Sequence, residues 1–246
     1  MSYDLVSVIL PAYAQADHIA DVLLGYDRAL LKMARPYELL VVVNGPEDGT
    51  YEQCVSAAAR CERIRVERSR PGWGVAVQHG IAMSRGDLIC YTNSARTSPE
   101  DLLAVLLFAL AYPGVVIKAN RKTRDNILRR LGSLLYNLEC RALFDVANFD
   151  VNGTPKAFPR QCAGLLNLSR QDDVIDAEFN AVCHRQAYPI LEVPVVSTQR
   201  HSGASTTDLG TAAHLYWGAY QLWRAQYRSS CEQAPEATSV PDPPRS

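Results

Sequence analysis

The stretch Arg85-Gly-Asp-Leu-Ile-Cys-Tyr-Thr-Asn-Ser-Ala-Arg-Thr-Ser-Pro-Glu100 carries the clearest fold signal in the chain. Its apolar residues from Leu88 to Tyr91 predict a β-strand, which stops in small polar residues and is followed by a helix from Pro99. Open α/β sheets bind ligands beyond the carboxyl ends of their strands. The stretch therefore predicts a central strand whose end lies at a binding site.

Apolar strands and helices alternate around this segment. Strands are predicted at 6–10, 38–43, 64–67, 88–91 and 115–119, and helices at 18–33, 51–61, 74–84 and 98–112. This alternation is typical of a mostly parallel sheet with helices on both faces. After residue 120 the sequence predicts helices at 123–144, 172–187 and 211–228, a strand at 190–196 and an irregular polar segment at 148–160.

The composition indicates one main domain. The chain has 246 residues, of which 48% are hydrophobic, so it can bury one substantial core. We expect a domain over residues 1–205, an aromatic helix over 206–228 and a disordered, proline-rich tail over 229–246.

Charge and cysteine content exclude several classes of protein. A formal net charge of −1 gives no electrostatic case for nucleic-acid binding. Seven cysteines without a Cys-x-x-Cys pair indicate reduced, buried thiols in a cytoplasmic protein. The longest uncharged run, 102–117, is interrupted by Pro113-Gly114, so it predicts a helix, a turn and a strand rather than a membrane span. The first apolar run likewise reads as a strand rather than a signal peptide.

Three segments in the first half end strands or open a helix with small or polar residues. They are Val6-Ser-Val-Ile-Leu-Pro-Ala-Tyr13, Val43-Asn-Gly-Pro-Glu-Asp-Gly-Thr50 and Arg70-Pro-Gly-Trp-Gly-Val-Ala-Val-Gln-His-Gly80. Glycines that open a helix allow an anion to approach its N-terminus, but they equally allow close packing of helix on sheet. The first segment also fits a core strand that a proline ends.

Three further segments follow in the second half: Asp150-Val-Asn-Gly-Thr-Pro-Lys-Ala-Phe158, Asp176-Ala-Glu178, and Arg200-His-Ser-Gly-Ala-Ser205. In this order the six segments resemble those of glycosyltransferase family 2. The Asp150 segment is similar to the acceptor side of the dolichol- and polyprenyl-phosphate mannose or glucose synthase branch. The resemblance implies the three-layer α/β fold called GT-A, with a C-terminal helical extension. It also implies sugar transfer from a nucleotide-sugar donor to an acceptor, which we expect to be a polyprenyl phosphate at the cytoplasmic membrane surface.

The chain departs from the family at the metal site. The Asp-x-Asp that follows the fourth strand in family 2 falls on Asn93-Ser94-Ala95, which offers only neutral oxygens. Mg²⁺ and Mn²⁺ prefer carboxylate ligands, so a divalent cofactor is disfavoured and we expect little dependence on metal. Fixed cations can offset the charge of a departing diphosphate instead. The candidates are Arg96, Arg121, Lys122, Lys156, Arg200 and His201, each of which taken alone reads as an exposed charge.

The resemblance also assigns residues to sites, with no metal ligand among them. The nucleotide site is expected at Pro11, Ala12, Tyr13, Val43, Asn44, Gly72, Asn93, Ser94 and Ala95. Catalytic roles fall to Asp176, Glu178 and Arg96. Contacts to the phosphates or the acceptor fall to Arg121, Asp150, Lys156, Arg200 and His201.

Two other functions stay open. The first is transfer to a soluble or glycan hydroxyl, with Asp176 or Glu178 as general base. The second is a GT-A-like domain that binds nucleotide or lipid without turnover, because its metal acids are missing.

Two helices bear on attachment to a membrane. In the 123–144 helix, Leu131, Leu134, Leu135 and Leu138 form part of a leucine stripe with Arg129, Arg130 and Arg141 beside it, and we expect this stripe to pack on the domain. The last helix aligns Tyr216, Tyr220, Trp223 and Tyr227, and tyrosine and tryptophan favour the membrane–water boundary. The sequence therefore predicts peripheral attachment through the aromatic helix.

Overall fold

The computed structural model describes residues 3–121, 127–147, 149–196 and 209–232, with side chains omitted at 127–130, 209–212 and 226–232. Its centre is a seven-stranded sheet in the order β3-β2-β1-β4-β6-β5-β7. The strands are β1 (Val6–Ala12), β2 (Tyr37–Val43), β3 (Ile64–Arg68), β4 (Leu88–Tyr91), β5 (Val116–Arg121), β6 (Lys156–Pro159) and β7 (Ile190–Val195).

Strand direction divides this sheet into two parallel sets joined by one reversed strand. β1 pairs in parallel with β2 and β4, β2 with β3, and β5 with β7. β6 runs antiparallel to both of its neighbours, β4 and β5. The prediction of a mostly parallel sheet is confirmed.

Helices cover both faces of the sheet. They are α1 (Ile19–Leu30), continued by a 3₁₀ turn at Leu31–Met33, α2 (Thr50–Arg60), α3 (Trp73–Met83), α4 (Pro99–Ala111), α5 (Ile127–Phe144), α6 (Ala163–Leu166), α7 (Ile175–Arg185) and α8 (Leu209–Glu232). The apolar side chains of α1, α2 and α4 pack against one face of the sheet. Those of α3, α6 and α7 pack against the other face, which gives the three layers.

A third apolar cluster joins α5 and α8 to α7. It includes Tyr136 and Cys140 from α5, Ala219 and Leu222 from α8, and Ala177 from α7. The Tyr136 and Tyr216 rings meet edge to face at 5.6 Å between centroids, and the Tyr216 hydroxyl donates to the Gly132 carbonyl at 2.8 Å. The last two long helices therefore form a packed pair on the outside of one helical layer.

The prediction of an irregular segment at 148–160 is wrong for its last part, because Lys156–Pro159 forms β6. This strand joins the two parallel sets, and its side chains are buried. The helix α8 continues to Glu232, four residues into the predicted tail. Residues 233–246 lie outside the part of the chain that the structure describes.

The leucine stripe contradicts its prediction, whereas the aromatic stripe is divided, with Tyr220 38% exposed. Leu131, Leu134, Leu135 and Leu138 are exposed, so the prediction that they pack on the domain is wrong. From the aromatic stripe, Tyr216 and Trp223 pack against the third cluster. None of the helices within the described residues combines the length and apolar character needed to cross a bilayer.

Candidate functional site

The carboxyl ends of β1, β2 and β4 meet at one edge of the sheet. The Asn44 amide donates to the Ala12 carbonyl at 3.0 Å, which ties the β2 exit to the β1 exit. The Ser94 hydroxyl lies 3.0 Å from the Pro11 carbonyl, which ties the β4 exit to β1. The exits also touch at Gly45, where a Cβ would lie 3.0 Å from the Ala14 amide nitrogen. The three polar strand ends predicted from sequence are therefore adjacent.

The side chains proposed for the nucleotide differ in their access to a ligand. Pro11, Ala12, Val43, Ser94 and Ala95 are buried, so any contact from them would come through the backbone or a short side chain. Tyr13 is half-exposed beside them, and Asn93 is partly exposed. At this edge, Tyr13 and Asn93 are the longer side chains open to a ligand.

Asn44 shows an unusual hydrogen-bonding pattern. Its amide nitrogen donates to the Gly72 carbonyl at 3.1 Å, which ties β2 to the loop before α3. Its Oδ1 is buried without a hydrogen-bond partner among the described residues. Buried acceptors are normally paired, so this oxygen is available to a donor on a ligand.

Gly72 begins α3 in a conformation that favours glycine, with φ at +131°. A Cβ at this position would lie 2.8 Å from the Gln171 carbonyl, and one at Gly74 would lie 2.3 Å from the Arg170 carbonyl. The glycines let the N-terminus of α3 press against the loop at 170–172. Close packing thus accounts for this glycine spacing, and Gly72 reaches the strand ends through Asn44.

The residues at the Asp-x-Asp position do not fit a divalent metal. Asn93 Oδ1 accepts from the Ala95 amide at 3.0 Å, and the Ser94 hydroxyl faces the Pro11 carbonyl and Gln15 Oε1. Their neutral oxygens are thus engaged within the protein, whereas Mg²⁺ and Mn²⁺ prefer carboxylates. Within the described ranges, no group of three His, Cys, Asp or Glu side chains is placed to hold a metal ion.

A cleft opens beside the end of β4. It brings together three residues predicted from sequence, Asn93, Arg96 and Arg121. Thr97, Asp101, Thr154 and Val195 line it as well. Two guanidinium groups and one amide therefore converge next to the edge where the strand ends meet.

Asp101 lines the cleft but was not predicted as a site residue from the sequence. Its backbone amide donates to the Ser98 hydroxyl at 3.0 Å, which caps the N-terminus of α4. Burial raises the pKa of the Asp101 carboxyl. The Ser98-Pro-Glu-Asp pattern signals the start of a helix, but it does not show that the helix starts at a cleft.

Arg121 is held rigidly by Asp150. Its Nε and Nη2 donate to the two carboxylate oxygens at 2.8 and 2.9 Å, a bidentate arrangement. Burial opposes the charge on Arg121, but the Asp150 carboxylate outweighs that effect and raises the pKa of Arg121. Glu192 positions Asp150 in turn, since it accepts from the Phe149 and Asp150 amides at 3.1–3.3 Å.

Lys156 forms a buried pair with Asp176. Its ammonium contacts Asp176 Oδ1, which also accepts from the Tyr91 hydroxyl at 2.8 Å. The expectation that Lys156 is an exposed charge is wrong, because its side chain is 0% exposed. Burial lowers the pKa of Lys156, although the Asp176 carboxylate opposes this change. The pair is therefore buried within the protein, and neither residue is among those that line the cleft.

Lys118 is a second buried lysine, on β5 directly opposite Lys156 in the sheet. It donates to Asn180 Oδ1 at 2.9 Å and lies 3.3 Å from Glu192. Burial, with the positive charge of Lys156 nearby, lowers the pKa of Lys118 to about 8. Lys118 was not predicted as a site residue, although a lysine inside the apolar run Val-Val-Ile-Lys-Ala could have indicated a buried charge.

Glu178 is engaged in holding a loop. Its carboxylate accepts from the Ser169 amide, the Ser169 hydroxyl and the Arg170 amide, at 2.6–3.0 Å. These bonds fix the segment that α3 packs against. Lys122, Arg200 and His201 lie outside the described residues.

The profile of glycosyl transferase family 2 matches residues 7–160, which is well over half of the chain. The chain belongs to glycosyl transferase family 2. The match covers the three strand ends, the cleft residues Arg96 and Arg121, and β6. It confirms the family resemblance found in the six sequence segments.

Two curated relatives that match this chain carry the same name. The undecaprenyl-phosphate 4-deoxy-4-formamido-L-arabinose transferase of Pseudomonas paraeruginosa is 29% identical over 68% of this chain and 51% of its own length. The Klebsiella pneumoniae protein of the same name is 24% identical over 81% of this chain and 62% of its own length. The chain thus spans between about half and less than two thirds of these relatives.

Two solved structures share the fold of this chain. Glucosyl-3-phosphoglycerate synthase from Mycobacterium tuberculosis, bound to UDP, superposes with a TM-score of 0.72 at 16% identity, over 90% of this chain and 80% of that one. Mannosyl-3-phosphoglycerate synthase from Rubrobacter xylanophilus gives 0.65 at 19% identity, over 96% and 78%. These neighbours confirm the GT-A fold.

Proposed function

We propose that this chain transfers a sugar from a nucleoside-diphosphate donor to a polyprenyl phosphate presented at a membrane surface. The observation that carries the proposal is the convergence of Arg96 and Arg121 on one cleft beside Asn93, at the end of β4. In open α/β sheets this is the place where ligands bind.

The two arginines supply what the departing diphosphate needs. In the reaction the bond between the sugar's anomeric carbon and the donor phosphate oxygen breaks, and both electrons stay on the diphosphate. An oxygen of the acceptor phosphate forms the new bond to the same carbon. Fixed guanidinium groups stabilise the charge that develops on the diphosphate, and Asp150 keeps Arg121 oriented for this role.

The nucleoside part of the donor is assigned to the β1 and β2 exits. The half-exposed Tyr13 ring offers a face against which a base or ribose can pack. The unpaired Asn44 Oδ1 offers an acceptor for a donor group on the nucleoside. Both lie at the edge that the cleft adjoins.

The state of the two predicted general bases favours a phosphate acceptor. Asp176 is paired with Lys156 and Tyr91, and Glu178 is occupied by three donors of the Ser169 loop. Both carboxylates are thus engaged by donors within the protein. A phosphate is already ionised at neutral pH and needs no base, whereas a hydroxyl acceptor does. The relatives named as undecaprenyl-phosphate transferases support the same acceptor class.

The donor set at Asn93-Ser94-Ala95 supports a reaction with little dependence on metal. Neighbours of this fold have been crystallised with Mn²⁺ or Mg²⁺ and UDP, so transfer must be measured with and without divalent metal. We expect transfer to stay within about twofold when EDTA replaces divalent metal, because fixed cations substitute for the ion. Loss of transfer in EDTA, with recovery on addition of Mn²⁺, would contradict this expectation.

The function is tested by transfer of radiolabelled sugar from a panel of nucleotide sugars to undecaprenyl phosphate, followed by extraction of the lipid product. Arg121→Gln should lower kcat/KM by about ten- to a hundredfold, because one charged hydrogen-bond partner of the transition state is lost.

Arg65→Gln is the matched control. Arg65 is 21% exposed and pairs with Glu38 at 2.8 Å, much as Arg121 is 19% exposed and pairs with Asp150, but it is not among the cleft residues. Equal losses in the two variants, or parental activity in both, would remove Arg121 from the site.

One observation favours a hydroxyl acceptor as the second candidate. Asp101 lines the cleft, and its raised pKa suits a general base. Asp101→Asn separates the two reactions, because transfer to an ionised phosphate should persist and transfer to a hydroxyl should collapse. Offering 3-phosphoglycerate beside undecaprenyl phosphate identifies the acceptor directly.

A further inference from the structure

Helix α5 has two apolar faces on opposite sides. One face, with Tyr136, Cys140 and Phe144, is buried in the third cluster. The other consists of Leu131, Leu134, Leu135 and Leu138, which are between 52% and 63% exposed. We call these four residues the leucine face.

The leucine face is continuous. Its members are spaced i, i+3, i+4 and i+7, so they fall within an arc of about 100° on the helix. Single exposed apolar residues are common on protein surfaces, but four adjoining leucines on one helix form a patch that marks an interaction site.

The surroundings of this patch are basic and aromatic. Arg141 is exposed, and its guanidinium lies 5.4 Å from the centroid of the Phe149 ring, which is itself 65% exposed. An apolar stripe with an exposed arginine at its border is typical of a helix that lies in a lipid headgroup region.

The leucine face is also linked to the cleft. Phe149 directly precedes Asp150, whose carboxylate holds Arg121 in the cleft. The helix α5 itself begins six residues after Arg121. Phe149 is therefore one residue from the carboxylate that holds the arginine proposed to contact phosphate.

We propose that the leucine face and Phe149 insert into the headgroup–acyl boundary of a bilayer that contains anionic lipid. The inference rests on the proposed function, because a polyprenyl phosphate reaches the cleft from such a boundary. Leucine side chains enter the apolar layer, and Arg141 faces the lipid phosphates.

A second copy of the chain is the less suitable occupant. Five half-exposed apolar side chains cover roughly a few hundred Å², and a standard protein interface takes about 800 Å² from each partner. The Arg141 guanidinium groups of the two copies would also face each other across a symmetric interface. They would instead be attracted to anionic lipid.

The test is flotation of the full chain with vesicles of phosphatidylcholine alone or mixed with phosphatidylglycerol, without donor or acceptor. Leu134→Gln with Leu138→Gln should weaken binding to the mixed vesicles by about tenfold or more, since two apolar side chains no longer enter the bilayer. Leu31→Gln with Leu107→Gln is the matched control, because these exposed leucines lie on other elements. The control should float like the parent.

Arg141→Gln should reduce the preference for phosphatidylglycerol and the sensitivity of binding to salt. Unchanged melting temperatures show that the variants fold, as expected for exposed positions. Failure of the parent to float, or equal flotation of the Leu134/Leu138 variant, would overturn the proposal. A parental dimer that the Leu134/Leu138 change makes monomeric, without flotation, would assign the face to a second copy.

The activity assay separates this inference from the proposed function. Transfer to a short-chain, water-soluble isoprenyl phosphate does not need a membrane. If that transfer occurs without flotation, the docking inference fails alone. If flotation occurs without any transfer, the proposed function fails alone.

Discussion

The two sides of the site are held together by different kinds of interaction. The strand ends of β1, β2 and β4 carry neutral groups such as Asn44, Asn93 and Ser94, which are tied together by backbone and hydroxyl hydrogen bonds. The side formed by β5, β6, β7 and α7 buries full charges, the lysines Lys118 and Lys156 and the carboxylates Asp150 and Asp176. The first side is shaped by backbone geometry and the second by charge pairing. Single substitutions should therefore be far more costly on the charged side.

The largest effect is expected at the Lys156–Asp176 pair. Lys156→Met leaves a buried carboxylate without its cation, and such a loss costs about 3–5 kcal/mol of unfolding free energy. Asp176→Asn should cost a similar amount of unfolding free energy, because it leaves the buried Lys156 ammonium without its carboxylate partner. The double variant should lose clearly less than the sum, since no unpaired charge remains. Urea unfolding measures all three.

A more exposed ion pair away from both sides of the site serves as the comparison: Arg63–Asp27, with a 2.8 Å contact and Arg63 43% exposed. Arg63→Gln should cost no more than about 1 kcal/mol, because solvent screens the pair. Equal losses at the two pairs would show that burial does not make the Lys156–Asp176 pair more costly to break.

The next effect is a pH dependence set by Lys118. Its folded pKa of about 8 lies below the ordinary value of 10.5, so between these values the unfolded chain binds more protons than the folded one. This group therefore makes the protein more stable as pH rises from 8 towards 10. Lys156, Glu192 and Asp150 are the charges that act on it.

The stability of the parent relative to Lys118→Met should rise by on the order of 1 kcal/mol between pH 8 and 9.5. Urea unfolding of both proteins at the two values measures the change, and the difference removes contributions from other groups. A difference that stays constant, or falls, would show that Lys118 keeps its proton throughout this range.

The smallest effect is expected on the neutral side, at Ser94. Its hydroxyl lies 3.0 Å from both the Pro11 carbonyl and Gln15 Oε1 and donates to one at a time. Ser94→Ala should cost about 1 kcal/mol of unfolding free energy and leave nucleotide affinity, measured by calorimetry, unchanged. A marked loss of affinity with parental stability would instead identify Ser94 as a ligand contact.

Local patterns were sufficient to predict much of the sheet. The apolar runs of β1, β2 and β4 predicted buried parallel strands, because both faces of such strands are covered. The strand β6 escaped prediction because it has only four residues, with a proline before it and a proline at its end. Its neighbours β4 and β5 are supplied by distant parts of the chain, which no local pattern reveals.

The charged side of the site could not be predicted from sequence for a related reason. Lysine and aspartate are usually exposed, so the sequence predicted Lys156 as a phosphate or acceptor contact and Asp176 as a catalytic group, and nothing in it indicated a buried pair. Their partners lie far along the chain, as with Lys118 and Glu192, so burial becomes visible only in the fold. The leucine face shows the same limit, since an apolar stripe does not reveal whether a neighbour covers it.

The reversed strand β6 has a consequence for synthesis of the chain. The edges of β4 and β5 have no covering strand until residues 156–159 have left the ribosome, because β6 is the strand between them. A nascent chain that stops short of this point displays unpaired backbone groups on β4 and on β5, and such edges are templates for aggregation. The four residues of β6 thus decide when the growing chain can join β4 to β5 in one sheet.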